Sequence, residues 1–277
     1  MPDPVPLAPP EVVVRLRAAG CVFAEDEAAL LIAAAPTPGD LTLMVERRAG
    51  GEPLEYVLGW AEFCGLRVAV EPGVFVPRHR TEFLASQAAA RTRPGSVVVD
   101  LCCGSGAVGA ALVAASPTVQ LHATEIDATA VRCARRNLAG IGGQVHAGDL
   151  YDPLPPGLRG RVDVLVANVP YVPTEEIALL PREARLYEPR RALDGGADGL
   201  DVLRRVAAGA PGWLAPGGCL LVETSEAQAP RAAEILAASG LPAEVTSLDE
   251  LDATVVIGTM PGAGDSPRAR GAAAPRY

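Results

Sequence analysis

From Ser96 onward, short apolar runs alternate with segments of helical pattern, and this alternation constrains the fold more than any other feature of the chain. "VVVDL", "VQLHATEI", "QVHAGDL", "VDVLVAN" and "CLLVETS" read as strands, the apolar runs among them buried on both faces. Between and after them, "AVGAALVAASP", "DATAVRCARRNLAG", "GLDVLRRVAAGAPGWLAPGG" and "EAQAPRAAEILAASG" each hold a helix. Asp127 and Gly140 are the expected N-cap and C-cap of the second. "AEVTSLDELDATVVIGTM" is expected to close the sheet with two strands, and a long loop is expected from Asn168 to about Asp198. Repeated strand–helix units of this kind predict an α/β fold with a doubly wound, mostly parallel sheet.

The residues before Ser96 differ in character. "PEVVVRLRAAG", "AEDEAALLIAAAP" and "TPGDLTLMVERRAGG" read as three short helices, stopped at Gly20, Pro36 and a Gly pair. They predict a small helical domain over residues 1–50, too short to be stable without leaning on something else. Residues 51–80 are expected to be a β-hairpin connector, with "EFCGLRVAV" and "GVFVP" as strands around the turn "EPG". Trp60 and Phe63 are expected in its core. A helix from Thr81, ending before Pro94, begins the main domain, residues 81–260. Residues 261–277 are rich in Pro, Gly and Ala and are expected to be disordered.

Composition narrows the function classes. The net charge is −9, and all 24 cationic side chains are Arg, with no Lys. Such a chain lacks the clustered cations that neutralise phosphates, so direct binding to nucleic acid is not expected. The six cysteines show no CxxC spacing, and the three histidines are scattered, so no metal is expected. The vicinal pair Cys102–Cys103 is expected to pack rather than to do redox chemistry. No apolar run approaches the ~20 residues of a membrane span, and "MPDPVPLAPP" has neither a basic nor an apolar leader segment. A cytoplasmic protein with reduced thiols is expected.

In "VVVDLCCGSGAVGAAL" a strand runs into Gly104, Gly106 and Gly109 and then a helix. Glycines there let a backbone turn sharply and approach a ligand. The spacing satisfies the dinucleotide pattern, and Glu125, about twenty residues on, suits a ribose in either an NAD enzyme or an S-adenosylmethionine enzyme. Asp100 separates the two: an acid just before the loop suits a cationic, amine-bearing cofactor and repels a pyrophosphate. Asp149, in "AGDL", is a third strand-end acid, able to accept from an adenine amine or simply to cap a turn. Arg78 and Arg80 are expected to be solvated. Glu188 and Arg190 are expected either to cover the site or to pack within the loop.

The strand "VDVLVAN" ends in "NVPY", and the series around it is long and ordered. "GEPLEYVLGWAEFCGL", "VPRHRTEFL", "DLCCGSGA", "GDLYDPL", "VANVPYVP" and "YEPRRALDGGADGLDVLRRV" follow one another over about residues 50 to 260. This series resembles the HemK/PrmC family, which methylates a glutamine side-chain amide in peptide chain release factors. The resemblance implies a class I, Rossmann-like S-adenosylmethionine-dependent methyltransferase with a seven-stranded sheet, a helical N-terminal domain for substrate recognition and a hairpin connector. It implies a cofactor site at Asp100, Cys102, Cys103, Gly104, Ser105, Gly106, Glu125, Ile126, Asp149, Leu150 and Asn168. Asn168, Val169, Pro170 and Tyr171 are the implied catalytic and substrate residues. The chain departs from the family pattern at Val169 (usually Pro), at Cys102 (usually Gly) and in "RHR" (usually "RPE").

Competing possibilities are an adenine amino-methyltransferase, which shares the motif but wants a basic recognition domain, and a dehydrogenase, which leaves "NVPY" unexplained. A non-catalytic relative that only binds cofactor or protein is the third.

Overall fold

The computed structural model describes residues 8–262. Its first elements are α1 (Pro9–Ala18), α2 (Ala24–Ala34) and α3 (Pro38–Ala49). They bury Val12, Leu16, Leu31, Leu41 and Val45 in a small core of their own, which Val57 joins from α4 (Leu54–Leu58). Arg48 of α3 ties this unit to the rest: it bonds Glu27 of α2 at 2.6 Å and Glu183, far along the chain, at 3.2 Å.

The hairpin is shorter than expected and turns elsewhere. Strands β1 (Trp60–Phe63) and β2 (Leu66–Ala69) pair antiparallel with Phe63 opposite Leu66, so the turn is Cys64–Gly65 and not "EPG". Both turn residues have positive φ, +49° and +71°, a backbone twist that matches the twist of the strands it joins. "GVFVP" is not a strand. It buries Val74 and Val76 beside Tyr56 and Ala130, and its Val76 N–H donates to the Glu188 carboxylate instead of a ladder. Phe63 is fully buried, whereas Trp60 is half-buried under the Arg67 guanidinium.

After α5 (Thr81–Ala89) come β3 (Val97–Leu101), α6 (Ala107–Ala115), β4 (Gln120–Glu125), α7 (Ala128–Leu138) and β5 (Gln144–Ala147). They are followed by β6 (Val162–Ala167), α8 (Arg182–Tyr187), α9 (Asp201–Gly209), β7 (Leu214–Thr224), α10 (Ala229–Ala238), β8 (Ala243–Leu248) and β9 (Ala253–Thr259). The seven-stranded sheet has the order β5-β4-β3-β6-β7-β9-β8. Its first five strands are parallel, and β9 runs antiparallel to both neighbours.

Side chains on a strand alternate between faces. In β3, Val97, Val99 and Leu101 enter the core on one side with Leu165, Val206 and Leu220. Val98 enters the other with Leu84, Leu112 and Leu121. Asp100 has the parity of Val98, so the sheet turns an acid onto the face that α6 covers.

Two further expectations need correction. Asp127 does cap α7, accepting from Thr129 N–H at 2.8 Å. The helix, however, tightens through residues 139–141, and the left-handed residue that ends it is Gly142, at φ +80°, not Gly140. The span after Asn168 is no structureless loop either, since it holds α8 and two tighter turns. The disorder expected for residues 261–277 falls, past residue 262, outside the described residues.

Candidate active site

The strand order reverses between β3 and its neighbours β4 and β6, and ligands of open α/β sheets bind in the crevice at such a point. A cavity of about 620 Å³ lies there. The carboxyl ends of β3, β4, β5 and β6 supply its floor, and residues 75–81 and 180–193 its sides.

Asp100 lines the cavity at 2% exposure. Its Oδ2 accepts from the Gly109 N–H at 3.1 Å. No cation offsets its burial, which pushes its carboxyl up to about 7. Glu125 is tied down at both oxygens: Oε1 accepts from Ile126 and Asp127 N–H at 2.8 and 2.9 Å, and Oε2 from Gly104 N–H at 2.9 Å. The glycine loop is thus stapled to the end of β4. A carboxylate has about four lone-pair sites, so Glu125 keeps capacity for further donors. Asn137 of α7 holds the loop from behind, donating to the Ser105 carbonyl at 2.8 Å.

Cys102, Cys103, Gly104, Ser105, Glu125, Ile126, Asp149, Leu150 and Asn168 also line the cavity. Gly106 is absent from the wall: a Cβ there would meet Leu138 at 3.0 Å, so its role is to let α7 approach. Cys102 and Leu150 adopt left-handed backbones, φ +55° and +47°, costing about 1 kcal/mol or more each. Strain of that kind gathers at ligand sites. Burial pushes both vicinal thiols upward, leaving them protonated.

The "NVPY" turn follows β6. Asn168 Nδ2 donates to the Thr81 hydroxyl at 3.2 Å. Val169 reaches the wall yet is 3% exposed, its side chain in the core with Leu101 and Leu150. Tyr171 donates its hydroxyl to Glu223 Oε1 at 3.0 Å, and burial raises its pKa. Its carbonyl accepts from Gln228 Nε2 at 2.9 Å. The "DGGADG" segment packs against the same turn. A Cβ on Gly199 would sit 2.2 Å from the Tyr171 oxygen, so backbone meets backbone there and only glycine fits.

Arg78 and Arg80 are only partly solvated, with side chains 30% and 42% exposed, and each faces a buried carboxylate. Arg78 bonds the buried Glu188 at 2.6 Å, and Arg80 Nε lies 3.5 Å from Glu223 Oε1. Glu188 therefore fastens the connector to the segment after the motif, whereas Arg190 is exposed and pairs with Asp194. His122 and His146 are not scattered in space: their rings stack with nitrogens 3.1 Å apart, on adjacent strands. Thr81, Glu223, Gln228 and Asn137 were not visible as site residues in the sequence. Only Glu223 left a signal, as a charge at the end of an apolar run.

The lining suits a cationic, amine-bearing ligand better than a pyrophosphate. Each of the four arginines on the wall already faces a carboxylate: Arg78 with Glu188, Arg80 with Glu223, Arg191 with Asp127 and Arg205 with Asp149. The Gly104 N–H that would cradle a phosphate is taken by Glu125. The wall also holds the Asp100 carboxyl, which faces no cation, and the buried, unpartnered Thr124 hydroxyl.

Residues 65–196 match the family model described as "Methyltransferase small domain". A release factor glutamine methyltransferase of Mycolicibacterium smegmatis is 40% identical over 210 residues, 75% of this chain and 74% of that protein. The chain belongs to the release factor glutamine methyltransferase family. The relative of that name from Xylella fastidiosa is 38% identical over 79% of this chain and 80% of its own length. The one from Geobacter sulfurreducens is 43% identical, over 67% of this chain and 65% of its own length. Among solved structures, a methyltransferase from Pyrococcus furiosus superposes with a TM-score of 0.55 at 17% identity, covering 71% of this chain and 90% of that one. The family is HemK/PrmC, and the enzyme is a methyltransferase whose cofactor is S-adenosylmethionine. The acids and unmet groups of the wall fit that cation. Among the described residues, no helix is long and apolar enough to cross a membrane.

Proposed function

We propose that this enzyme methylates the side-chain amide nitrogen of a glutamine in a protein, and that the protein is a peptide chain release factor, as named for its relatives. The observation that carries this reading is the Asn168 amide: its nitrogen is engaged by Thr81, which leaves its oxygen free at the cavity wall.

An amide nitrogen is a poor nucleophile because its lone pair is delocalised into the carbonyl. A site can help by accepting from both N–H groups and holding the nitrogen in one orientation. Asn168 Oδ1 and the Val169 carbonyl are the acceptors assigned here. Their dipoles also stabilise positive charge that develops on that nitrogen, so the contribution is orientation and electrostatics. Pro170 fixes the turn, and Tyr171, locked by Glu223 and Gln228, walls the amide. S-adenosylmethionine, when bound, supplies a methyl group made electrophilic by its sulfonium. Its ribose is assigned to Glu125, with Ile126 beside it; its adenine is assigned to Asp149 and Leu150, and its charged end to Asp100. Cys102, Cys103, Gly104 and Ser105 form the loop that receives it. Asp149 Oδ2 already accepts from the Arg205 guanidinium at 2.6 Å, so Oδ1 is the oxygen left to accept.

The substitution of Val169 for the family's proline keeps the acceptor carbonyl. The helical unit, residues 1–50, is assigned to recognising the protein substrate, and the hairpin, residues 51–80, to joining it to the catalytic domain, residues 81–260. We infer that the enzyme works in the cytoplasm, where its six cysteines remain free thiols. The test is mass spectrometry of a release factor incubated with enzyme and isotope-labelled cofactor. Methyl-glutamine is expected, and Asn168→Ala is expected to abolish it while leaving cofactor affinity within about threefold. Label appearing on adenine in nucleic acid instead would refute the assignment.

A further inference from the structure

We propose that Arg80 is a substrate-binding residue, whose guanidinium donates to a main-chain carbonyl beside the target glutamine. The inference rests on the glutamine amide lying against Asn168 and Tyr171, as assigned above.

A glutamine in a protein cannot enter a cavity alone. Its side chain spans about 5 Å from Cα to the amide nitrogen, so the main chain around it follows to the rim. Each residue of that chain carries a carbonyl, and a carbonyl that leaves water without meeting a donor is costly. A donor on the wall, at the side from which the substrate comes, meets that need.

Strand order identifies that side. Asp100 lies in β3, Glu125 ends β4 and Asp149 follows β5, and the motif follows β6. Strand β7 lies beyond, next to β6 and away from β3. Arg80 belongs to this far side. Its Nε lies 3.5 Å from Oε1 of Glu223, near the end of β7, and its guanidinium stands 5.8 Å from the centre of the Tyr171 ring. It is thus across the motif from the acids assigned to the cofactor, beside the ring assigned to wall the amide.

The donors of Arg80 are also unspent. A guanidinium presents several N–H groups in a fixed fork and accepts nothing. Arg78 and Arg205 use theirs on Glu188 and Asp149, each at 2.6 Å. Arg80 meets Glu223 only at ion-pair distance, and its buried Nε has no hydrogen-bond partner. The side chain lines the cavity at 42% exposure. Arg191 makes an equally long pair, but with Asp127 at the start of α7, on the cofactor side. Glu223 offsets the charge of Arg80, so the fork suits a neutral carbonyl better than an acidic side chain.

The test combines steady-state kinetics with a release factor as the varied substrate, cofactor affinity by calorimetry, and thermal unfolding. Removing Arg80 alone would leave Glu223 buried without its cation, so Glu223→Gln is the reference background. Adding Arg80→Met to it is expected to raise KM for the release factor about tenfold. Both kcat and cofactor affinity are expected to stay within about threefold of the reference, since binding made equally in ground and transition states moves KM alone. Should that pair not fold, the smaller Arg80→Leu takes its place in the same background, with the same expectation.

A KM within about twofold of the reference overturns the proposal. A fall in kcat at constant KM also overturns it, because Arg80 would then only support the Tyr171 ring. Cofactor affinity weakened about tenfold would put the fork on the cofactor's carboxylate and refute the assignment to substrate. In all three cases transfer to glutamine persists and the reading above stands. If the wild-type enzyme places no methyl on glutamine, that reading falls and takes the role of Arg80 with it.

Discussion

Asp100 makes cofactor affinity depend on pH in a calculable way. Its carboxyl is buried, meets only the Gly109 N–H, and titrates at about 7. A cationic cofactor binds the ionised form. At pH 8 about ten in eleven molecules of the free enzyme carry that form, and at pH 6 about one in eleven. The apparent dissociation constant scales inversely with that fraction, so affinity for S-adenosylmethionine should weaken about tenfold from pH 8 to pH 6. Calorimetry at pH 6, 7 and 8, in buffers of different ionisation heat, would read both the affinity and the proton released on binding. Asp100→Asn should flatten this profile and weaken binding about tenfold or more at pH 8.

The same group predicts the opposite trend for cofactor-free stability. A carboxyl raised from 3.8 to about 7 holds its proton longer in the folded state. Stability is therefore full below about pH 4 and declines as pH rises to about 7, by a total of about 4 kcal/mol. Asp100→Asn should recover about 1 to 3 kcal/mol of it at pH 8, less than the whole because the new amide brings unpaired N–H groups. A wild-type affinity that stays flat between pH 6 and 8 would refute the reasoning. So would a cofactor-free enzyme that Asp100→Asn destabilises at pH 8.

Three other perturbations probe the surroundings of the site. Gly199→Ala places a Cβ against the Tyr171 carbonyl at a left-handed backbone; it should cost more than about 3 kcal/mol in denaturant unfolding and most of the activity. Val169→Pro retains the carbonyl but trims a buried side chain, so it should destabilise by about 1 kcal/mol and leave kcat within about threefold. A tenfold change in kcat would mean that the valine N–H takes part. Arg48→Met leaves Glu27 buried without its cation and should cost about 2 to 4 kcal/mol; a loss under about 0.5 kcal/mol would show the pair to be dispensable.

The sheet and the glycine loop were legible because their signals are local. Each buried strand shows as an apolar run, each helix as a periodicity, and Asp100 and Glu125 stand at strand ends within one repeat. The hairpin was misread because its turn uses Cys64 in a left-handed conformation, which no residue preference announces. Arg78 and Arg80 looked like solvated charges because their acids, Glu188 and Glu223, arrive from distant segments. Thr81 does start a helix, as its position suggests, but its contact with Asn168 spans 87 positions. Only the register of β6 beside β7 brings Glu223 next to the motif. Local pattern thus located the site, while the hydrogen-bond partners that orient it depend on tertiary placement.

The position of β9 has a consequence for how the molecule is made. Among the described residues, residues 253–259 form the only strand that β8 pairs with, and they also cover the outer edge of β7. While those residues are still inside the ribosome, β7 offers a bare edge and β8 has nothing to join, and bare edges invite wrong partners. Synthesis from the N-terminus can assemble the strands of the cofactor loop early, but the far half of the sheet must wait until residues 253–259 have emerged. The cofactor side of the sheet thus precedes, in order of synthesis, the one strand that locks β7 and β8 together.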